Sequence, residues 1–303
     1  MSAPDILVAG SANMDLVAFA DRLPVPGETL LGGAFQSFAG GKGGNQAVAA
    51  ARAGGKVAFL GRIGSDIFGG RLRKGLQDNG VDTRFLGEVE GASGVAIIVS
   101  GGGNNMIVVA PGANDALTAS AIDKSAFGGI RFVLAQLETP LDGVMEIARS
   151  ARAGGAVFIL DPAPARTLPS ELLAQVDWLT PNESEACTLL GLKSLGAPDE
   201  MARRLKALGP RGVVLKLGGQ GAVLLGEDDP PVTIPAHKVA VADTTAAGDA
   251  FNGAFAVALS EDKSPLEAVR FAMAAAAISV TRHGAQPAMA SRAEIEALLE
   301  AKK

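Results

Sequence analysis

Short apolar runs of strand length recur along this chain, each followed sooner or later by a helix-like segment, and no other feature limits the possible folds so strongly. The runs lie at 5–9, 56–60, 131–136, 156–160, 176–179 and 212–217. Their near-continuous apolar character suits strands buried on both faces. Apolar spacing, sparse glycine and start signals such as Ser291 ahead of Glu294 predict helices at 44–53, 66–78, 141–153, 183–190, 199–208, 246–259, 265–281 and 292–301. Strands alternating with helices pair in parallel through crossover connections, so the pattern predicts an α/β fold with a parallel sheet covered by helices on both faces.

Two stretches break this rhythm. Residues 15–39 are interrupted by Pro24, Pro26 and several glycines, and in 93–110 the runs Val95–Val99 and Met106–Val109 flank a Gly-Gly-Gly-Asn-Asn turn. Both read as antiparallel strands without a place in a parallel sheet. They are expected to meet as a small β-layer over one edge of a single domain spanning 1–303, where the layer can act as a lid. No internal repeat or unstructured linker divides the chain.

Composition narrows the function. With 303 residues, 48% hydrophobic and 19% charged, the chain can bury a large core. A net charge of −5, 4% aromatics and no Tyr do not suit a nucleic-acid surface, so a small polar substrate is expected. Cys187 is the only cysteine, which excludes an intramolecular disulfide and a Cys-rich zinc site and reads as a small buried apolar residue. The opening residues run directly into the strand-like Ile6–Ala9, and no apolar run reaches the roughly 20 residues that span a bilayer, so a reducing cytoplasmic location is expected.

The strongest chemical signal is Asp243-Thr244-Thr245-Ala246-Ala247-Gly248-Asp249-Ala250-Phe251-Asn252-Gly253, a polar turn that enters a helix with Phe251, Phe255 and Leu259 on its core face. A helix start presents free N–H groups and the positive end of the dipole, and the small residues 246–248 let a phosphate approach them. Asp249 would stand beside that phosphate, placed to orient a hydroxyl and take its proton. The same pattern also suits an ordinary helix, with Asp243 as N-cap and Asp249 as a first-turn carboxylate.

A second signal is Ala39-Gly40-Gly41-Lys42-Gly43-Gly44-Asn45-Gln46, running into the helix-like Ala47–Ala51. Its glycines, lysine and asparagine can hold a polyhydroxylated ligand. It is neither the phosphate loop, since no Ser or Thr follows the lysine, nor the dinucleotide fingerprint, since Gln46 stands where the last glycine belongs. Asn13 and Asp15 follow the first strand, where ligands bind in open α/β sheets and where Asx turns also occur; Glu138 follows the strand at 131–136. Asn182 and Glu185 lie one helical turn apart and could address Mg²⁺, directly or through its waters, although the pair is also a capping pattern. Lys216-Leu217-Gly218-Gly219-Gln220-Gly221 could wrap a nucleotide with backbone N–H groups or form a tight turn. The two histidines, His237 and His283, are assigned no catalytic role.

Taken in order, Gly10–Asp15, Pro26–Thr29, Gly40–Gln46, Glu138, Asp161–Ala165, Thr180–Glu185, Leu217–Gly221, Asp243–Gly253 and Thr281–Pro287 resemble the ribokinase family of sugar kinases over essentially the whole chain. The resemblance implies a doubly wound, mostly parallel α/β domain with a β-strand lid that often forms a homodimer interface. It implies transfer of the γ-phosphate of ATP to the 5-hydroxyl of D-ribose, giving ribose 5-phosphate and ADP. Deoxyribose, another sugar or a nucleoside is the alternative acceptor, and a non-catalytic sugar sensor the remote one. By position, Asn13, Asp15, Gly41, Lys42, Asn45 and Glu138 would contact the sugar. Asp249 would be the base, and the N–H groups of Ala247 and Gly248 the anion hole. ATP is expected against Asn182, Lys216, Gly218, Gly219, Gly221 and the helix around Met273, with Mg²⁺ near Asn182 and Glu185. A potassium ion is expected at Asp243, Thr245, Ser279, Arg282, Gly284 and Ala288. Two departures stand out: Asp161 where some members have Asn, and Met273 where a ring can stack on adenine.

Overall fold

The computed structural model describes residues 3–194 and 196–301. In chain order its elements are β1 (Ile6–Ala9), β2 (Asn13–Ala20), β3 (Phe35–Gly40), α1 (Lys42–Arg52), β4 (Val57–Gly64), α2 (Ile67–Asp78), β5 (Leu86–Val89), β6 (Gly94–Gly101) and β7 (Asn104–Ala110). There follow β8 (Phe132–Ala135), α3 (Leu141–Ala153), β9 (Val157–Leu160), α4 (Ser170–Leu173), β10 (Trp178–Leu179), α5 (Glu183–Leu190) and α6 (Pro198–Lys206). The chain continues with β11 (Gly212–Lys216), β12 (Ala222–Leu225), β13 (Val232–Ile234), α7 (Ala247–Ser260), α8 (Pro265–Ser279) and α9 (Arg292–Glu300).

Among the described residues, nine strands form one sheet in the order β13-β12-β11-β10-β9-β8-β1-β4-β5. From β11 to β5 every pairing is parallel, with Ile6 of β1 opposite both Val57 of β4 and Phe132 of β8. Strand alternation divides the core. Ile6 and Val8 pack with residues of α1, α2, α7, α8 and α9 on one face. Leu7 and Ala9 pack with residues of α3, α4, α5 and α6 on the other. Phe251, Phe255 and Leu259 of α7 are buried as the spacing required, and Phe255 meets Trp178 edge-on with ring centroids 5.7 Å apart. From Ala250 to Leu259 every residue of α7 is buried, which explains its apolar character all round.

The stretches that break the rhythm form a separate four-stranded sheet, β3-β2-β6-β7. β2 with β3 and β6 with β7 are antiparallel as expected, and the β6–β7 turn is reduced to Gly102 and Gly103, both at positive φ. The central pair differs, because β2 and β6 run parallel. β2 leaves the end of β1 and β6 follows β5; since β1 and β5 point the same way in the main sheet, both strands extend from it in one direction.

Several elements escape the sequence patterns. β5 and the antiparallel pair β12 and β13 extend the main sheet at its two edges. α1 begins at Lys42, ahead of the expected start at 44, and contains Gly43 and Gly44. Cys187 on α5 is half-buried rather than buried. No described helix is long and apolar enough to cross a membrane.

Candidate active site

Strand order lines up the polar residues. Five neighbouring strands, β11, β10, β9, β8 and β1, end at Lys216, Thr180–Asn182, Asp161, Gln136–Glu138 and Gly10–Asn13 respectively. Between β8 and β1 the chain reverses its direction of travel across the sheet, which is where open α/β folds bind ligands. Asp249 reaches this point from the first turn of α7, and Asn45 and Gln46 reach it from α1.

Asp249 is 5% exposed, and each of its carboxylate oxygens has its own amide donor: Asn45 Nδ2 to Oδ2 at 3.0 Å and Gln46 Nε2 to Oδ1 at 3.0 Å. Burial pushes its pKa up, opposed by Lys42 and by the two amides, to about 6. The close crossing of α1 and α7 that permits these bonds depends on Gly253, since a Cβ there would lie 2.6 Å from the Gln46 carbonyl oxygen. Ala246, just before α7, adopts a left-handed conformation with φ 57° and turns the chain so that the following N–H groups open the helix.

Gln46 also donates through Nε2 to Asp161 Oδ2 at 2.9 Å and accepts from Gln136 Nε2 at 2.6 Å. Lys216 Nζ pairs with Asp161 Oδ1 at 3.1 Å. A Cβ on Gly248 would lie 3.4 Å from that Nζ, so the ammonium stands beside the opening turn of α7.

Asn13, Asp15, Gly41, Lys42 and Glu138 gather at the β1 end of this line. Glu138 Oε2 accepts from Ser11 Oγ at 2.6 Å and from the Lys42 backbone N–H at 3.0 Å, so it caps α1, whose own N-cap residue Gly41 has no side chain. Gly41 has φ 80°, and a Cβ there would lie 2.7 Å from the Asn13 nitrogen, so glycine is required. Asn13 Oδ1 accepts from Asn114 Nδ2 at 2.7 Å. Burial, with Glu138 and Asp249 as like-charged neighbours, pushes Asp15 up to about 7. Burial alone would lower the Lys42 ammonium, but Asp249, Asp161, Glu138 and Glu185 together outweigh it and raise its pKa.

At the other end, Asn182 and Lys216 form a parallel bridge, with the Lys216 N–H donating to Pro181 O at 2.8 Å. Asn182 and Glu185 form a full capping box: Asn182 Oδ1 accepts from the Glu185 N–H at 2.9 Å, and the Glu185 carboxylate accepts from Asn182 N and Nδ2 at 2.7 and 2.8 Å. Burial raises the Glu185 pKa. Gly218 and Gly219 present open backbone, with nothing within 4 Å of a Cβ on either, whereas Gly221 at φ 108° packs against Ile234 O. Met273 lies in the core, 8% exposed, while Ala276 to Ile278 are half-buried on the next turn.

The residues expected around a monovalent cation come from two segments that fold together. Asp243 Oδ1 accepts from Thr245 N at 2.9 Å and Oγ1 at 2.7 Å, and Oδ2 from the Gly284 N–H at 2.9 Å. Burial works against ionisation of Asp243, but these bonds and nearby His283 hold its pKa below the usual value. Ser279 Oγ donates to Ala276 O at 2.8 Å, and Arg282 pairs with Glu294. Ala288 is buried in a short turn, where Arg52 Nη1 donates to the carbonyls of Gln286 and Met289 at 2.9 and 3.2 Å.

A hollow of about 580 Å³ lies at the opposite, amino-terminal ends of β1 and β4, but its acid Asp82 is already paired with Arg84 at 2.6 Å. The roles of Gln46, Asp161, Gln136 and Asn114 were not assigned from sequence. The first two stand inside segments already singled out, and the signal for Asp161 was a carboxylate at a strand end in place of an amide. Gln136 and Asn114 carry no local signal beyond being polar next to apolar strands.

A buried carboxylate beside a helix N-terminus and a lysine suits transfer of a phosphoryl group to a hydroxyl, and fold and cluster together define an ATP-dependent kinase of small polyhydroxylated molecules. The chain belongs to the pfkB family of carbohydrate kinases, whose profile matches residues 3–292. It is 43% identical to the ribokinase of Bacillus subtilis, over 97% of this chain and 99% of that one. The crystal structure of ribokinase from Thermotoga maritima is 38% identical, covers 98% of this chain and all of its own, and superposes with a TM-score of 0.90. The structure of Arabidopsis thaliana ribokinase complexed with ribose and ATP is 35% identical, covers 98% of this chain and 99% of its own, and has a TM-score of 0.92.

Proposed function

We propose that this carbohydrate kinase phosphorylates D-ribose at its 5-hydroxyl with ATP. The observation that carries the reading is Asp249, buried in the first turn of α7 with one amide on each oxygen, next in the chain to Gly248, beside which the Lys216 ammonium stands. The sugar lies against Asn13, Asp15, Gly41, Lys42, Asn45 and Glu138, with its 5-hydroxyl toward Asp249. The hydroxyl oxygen forms a bond to the γ-phosphorus, the bond from that phosphorus to the β,γ-bridging oxygen breaks, ADP departs, and the hydroxyl proton passes to Asp249. The N–H groups of Ala247 and Gly248 and the ammonium of Lys216 face the charge on the transferred group. Asn182, Lys216, Gly218, Gly219 and Gly221 line the nucleotide end, with adenine beside the half-buried turn that follows Met273.

Mg²⁺, when bound with ATP, neutralises phosphate charge. Asn182 and Glu185 already bind one another, so they fit a Mg²⁺ through its waters rather than by direct ligation. The joined segments carrying Asp243, Thr245, Ser279, Arg282, Gly284 and Ala288 fit a potassium ion that orders the turn into α7. The four-stranded sheet serves as a lid that excludes water and as the contact face of a homodimer. Half-buried Cys187, as the only cysteine, is compatible with a reducing cytoplasm.

The test is Asp249→Asn, assayed by ADP release from Mg-ATP with ribose. Ribose binding is expected to stay nearly intact while turnover drops by on the order of a thousandfold or more. An unchanged rate would remove Asp249 from the mechanism. A panel of ribose, deoxyribose, fructose and adenosine tests the acceptor, and a clear preference for any of the others would replace ribose.

A further inference from the structure

We infer that Gln46 is a positioning residue for phosphoryl transfer: its amide sets the plane of the Asp249 carboxylate and ties it, through Asp161, to Lys216 beside the phosphate-binding turn. The inference rests on Asp249 being the proton acceptor.

Gln46 is fully buried and joins three polar partners that come from three other elements. Two of them, Asp249 and Asp161, are carboxylates, which when ionised can only accept hydrogen bonds, so the amide nitrogen must face both and spends one N–H on each. Its oxygen accepts from Gln136 Nε2 at 2.6 Å, in keeping with the orientation that the two carboxylates impose. A neutral group with two hydrogens on one atom is what can stand between two carboxylates without adding charge. Glu would repel both, and an apolar residue would leave both underbonded. With Asn45 on the second oxygen, Asp249 cannot rotate, so a lone pair stays aimed at the place where the hydroxyl must arrive. Asp161, held from the other side by Lys216 at 3.1 Å, carries the constraint to the phosphate side.

Other charged groups face this cluster: Lys42 from α1, Asp15 from β2, and Glu138 and Glu185 around Lys42. Gln46 hydrogen-bonds Asp249 and Asp161 among the acids, so its removal acts selectively on them.

The experiment measures kcat and KM for ribose from pH 5 to 9, with Mg-ATP and potassium, for the full chain and for Gln46→Glu and Gln46→Met. The wild-type kcat should rise with pH through about 6, as Asp249 ionises, while the titration of Asp15 near 7 falls on KM. Loss of the donor should move this acid limb upward by about one pH unit, further in Gln46→Glu than in Gln46→Met. At pH 7 kcat should fall by roughly tenfold, with KM for ribose changing by less than about threefold. If either variant fails to fold, Gln136→Met frees the amide to turn and should shift the limb in the same direction by less. An unmoved limb, or a loss that falls on KM alone, overturns the inference. If Asp249→Asn abolishes turnover while the limb of the Gln46 variants stays in place, only the role of Gln46 fails. If Asp249→Asn turns over normally, the assignment of the base fails instead.

Discussion

Asp249 and Asp15 are carboxylates that the fold makes reluctant to ionise, to about 6 and about 7 respectively. A carboxyl whose folded pKa lies above its unfolded value binds its proton more tightly in the native state, so ionising it costs stability. For Asp15 that cost is absent below about pH 4, grows as pH rises toward 7, and is complete above it. Asp15→Asn removes the charge with little change of shape. Its Tm should therefore exceed that of the parent by a few degrees at pH 8, with the advantage shrinking toward zero at pH 4. Equal melting temperatures at pH 8 would mean that Asp15 has found compensation for its burial. The variant should also bind ribose more weakly, since it loses an acceptor for a sugar hydroxyl. The Asp243–Gly253 segment was legible because helix starts obey local rules of charge and N–H exposure. The partnership of Asp249 with Gln46 was not, because the two are 203 positions apart in the chain.

α1 and α7 frame the candidate site only because they cross closely. Gly253 lies against the Gln46 carbonyl and the Ala49 methyl, which a Cβ would approach to 2.6 and 2.7 Å. Gly253→Ala should push the helices apart, lowering stability by about 1–3 kcal/mol and stretching the amide bonds to Asp249. Thermal melts and kcat together check this: a fall in Tm accompanied by a fall in kcat is expected, and a variant with unchanged Tm would show that the crossing can relax. Nothing local announces that glycine as a contact. Within a helix-like run it reads as a tolerated weak point, and only the neighbour reveals its purpose. The Asn182–Glu185 pair shows the converse. Its capping reading and its binding reading were both available from spacing, and the capping box is complete in the fold.

The four-stranded sheet leaves Ile97, Met106, Ile107, Val108 and Val109 exposed, between 45% and 67%, and β7 is one of its two unpaired edges, β3 being the other. An apolar edge of this kind invites pairing with another chain. A dimer through this sheet should appear in sedimentation analysis, and Val108→Lys should convert it to monomer while leaving each chain folded. A monomeric parent protein would instead assign the exposed face to lid closure alone.

Alternating apolar runs, helix starts, turn glycines and the absence of competing nucleotide fingerprints all act over a few residues, and the sequence by itself therefore determined the α/β class, most of the helices and the candidate segments for the site. Strand order, the parallel pairing of β2 with β6, and the electrostatic influence of Asp249, Asp161, Glu138 and Glu185 on Lys42 were decided by tertiary structure alone. Desolvation and Coulomb forces depend on distance in space, and space brings together residues that the chain keeps far apart.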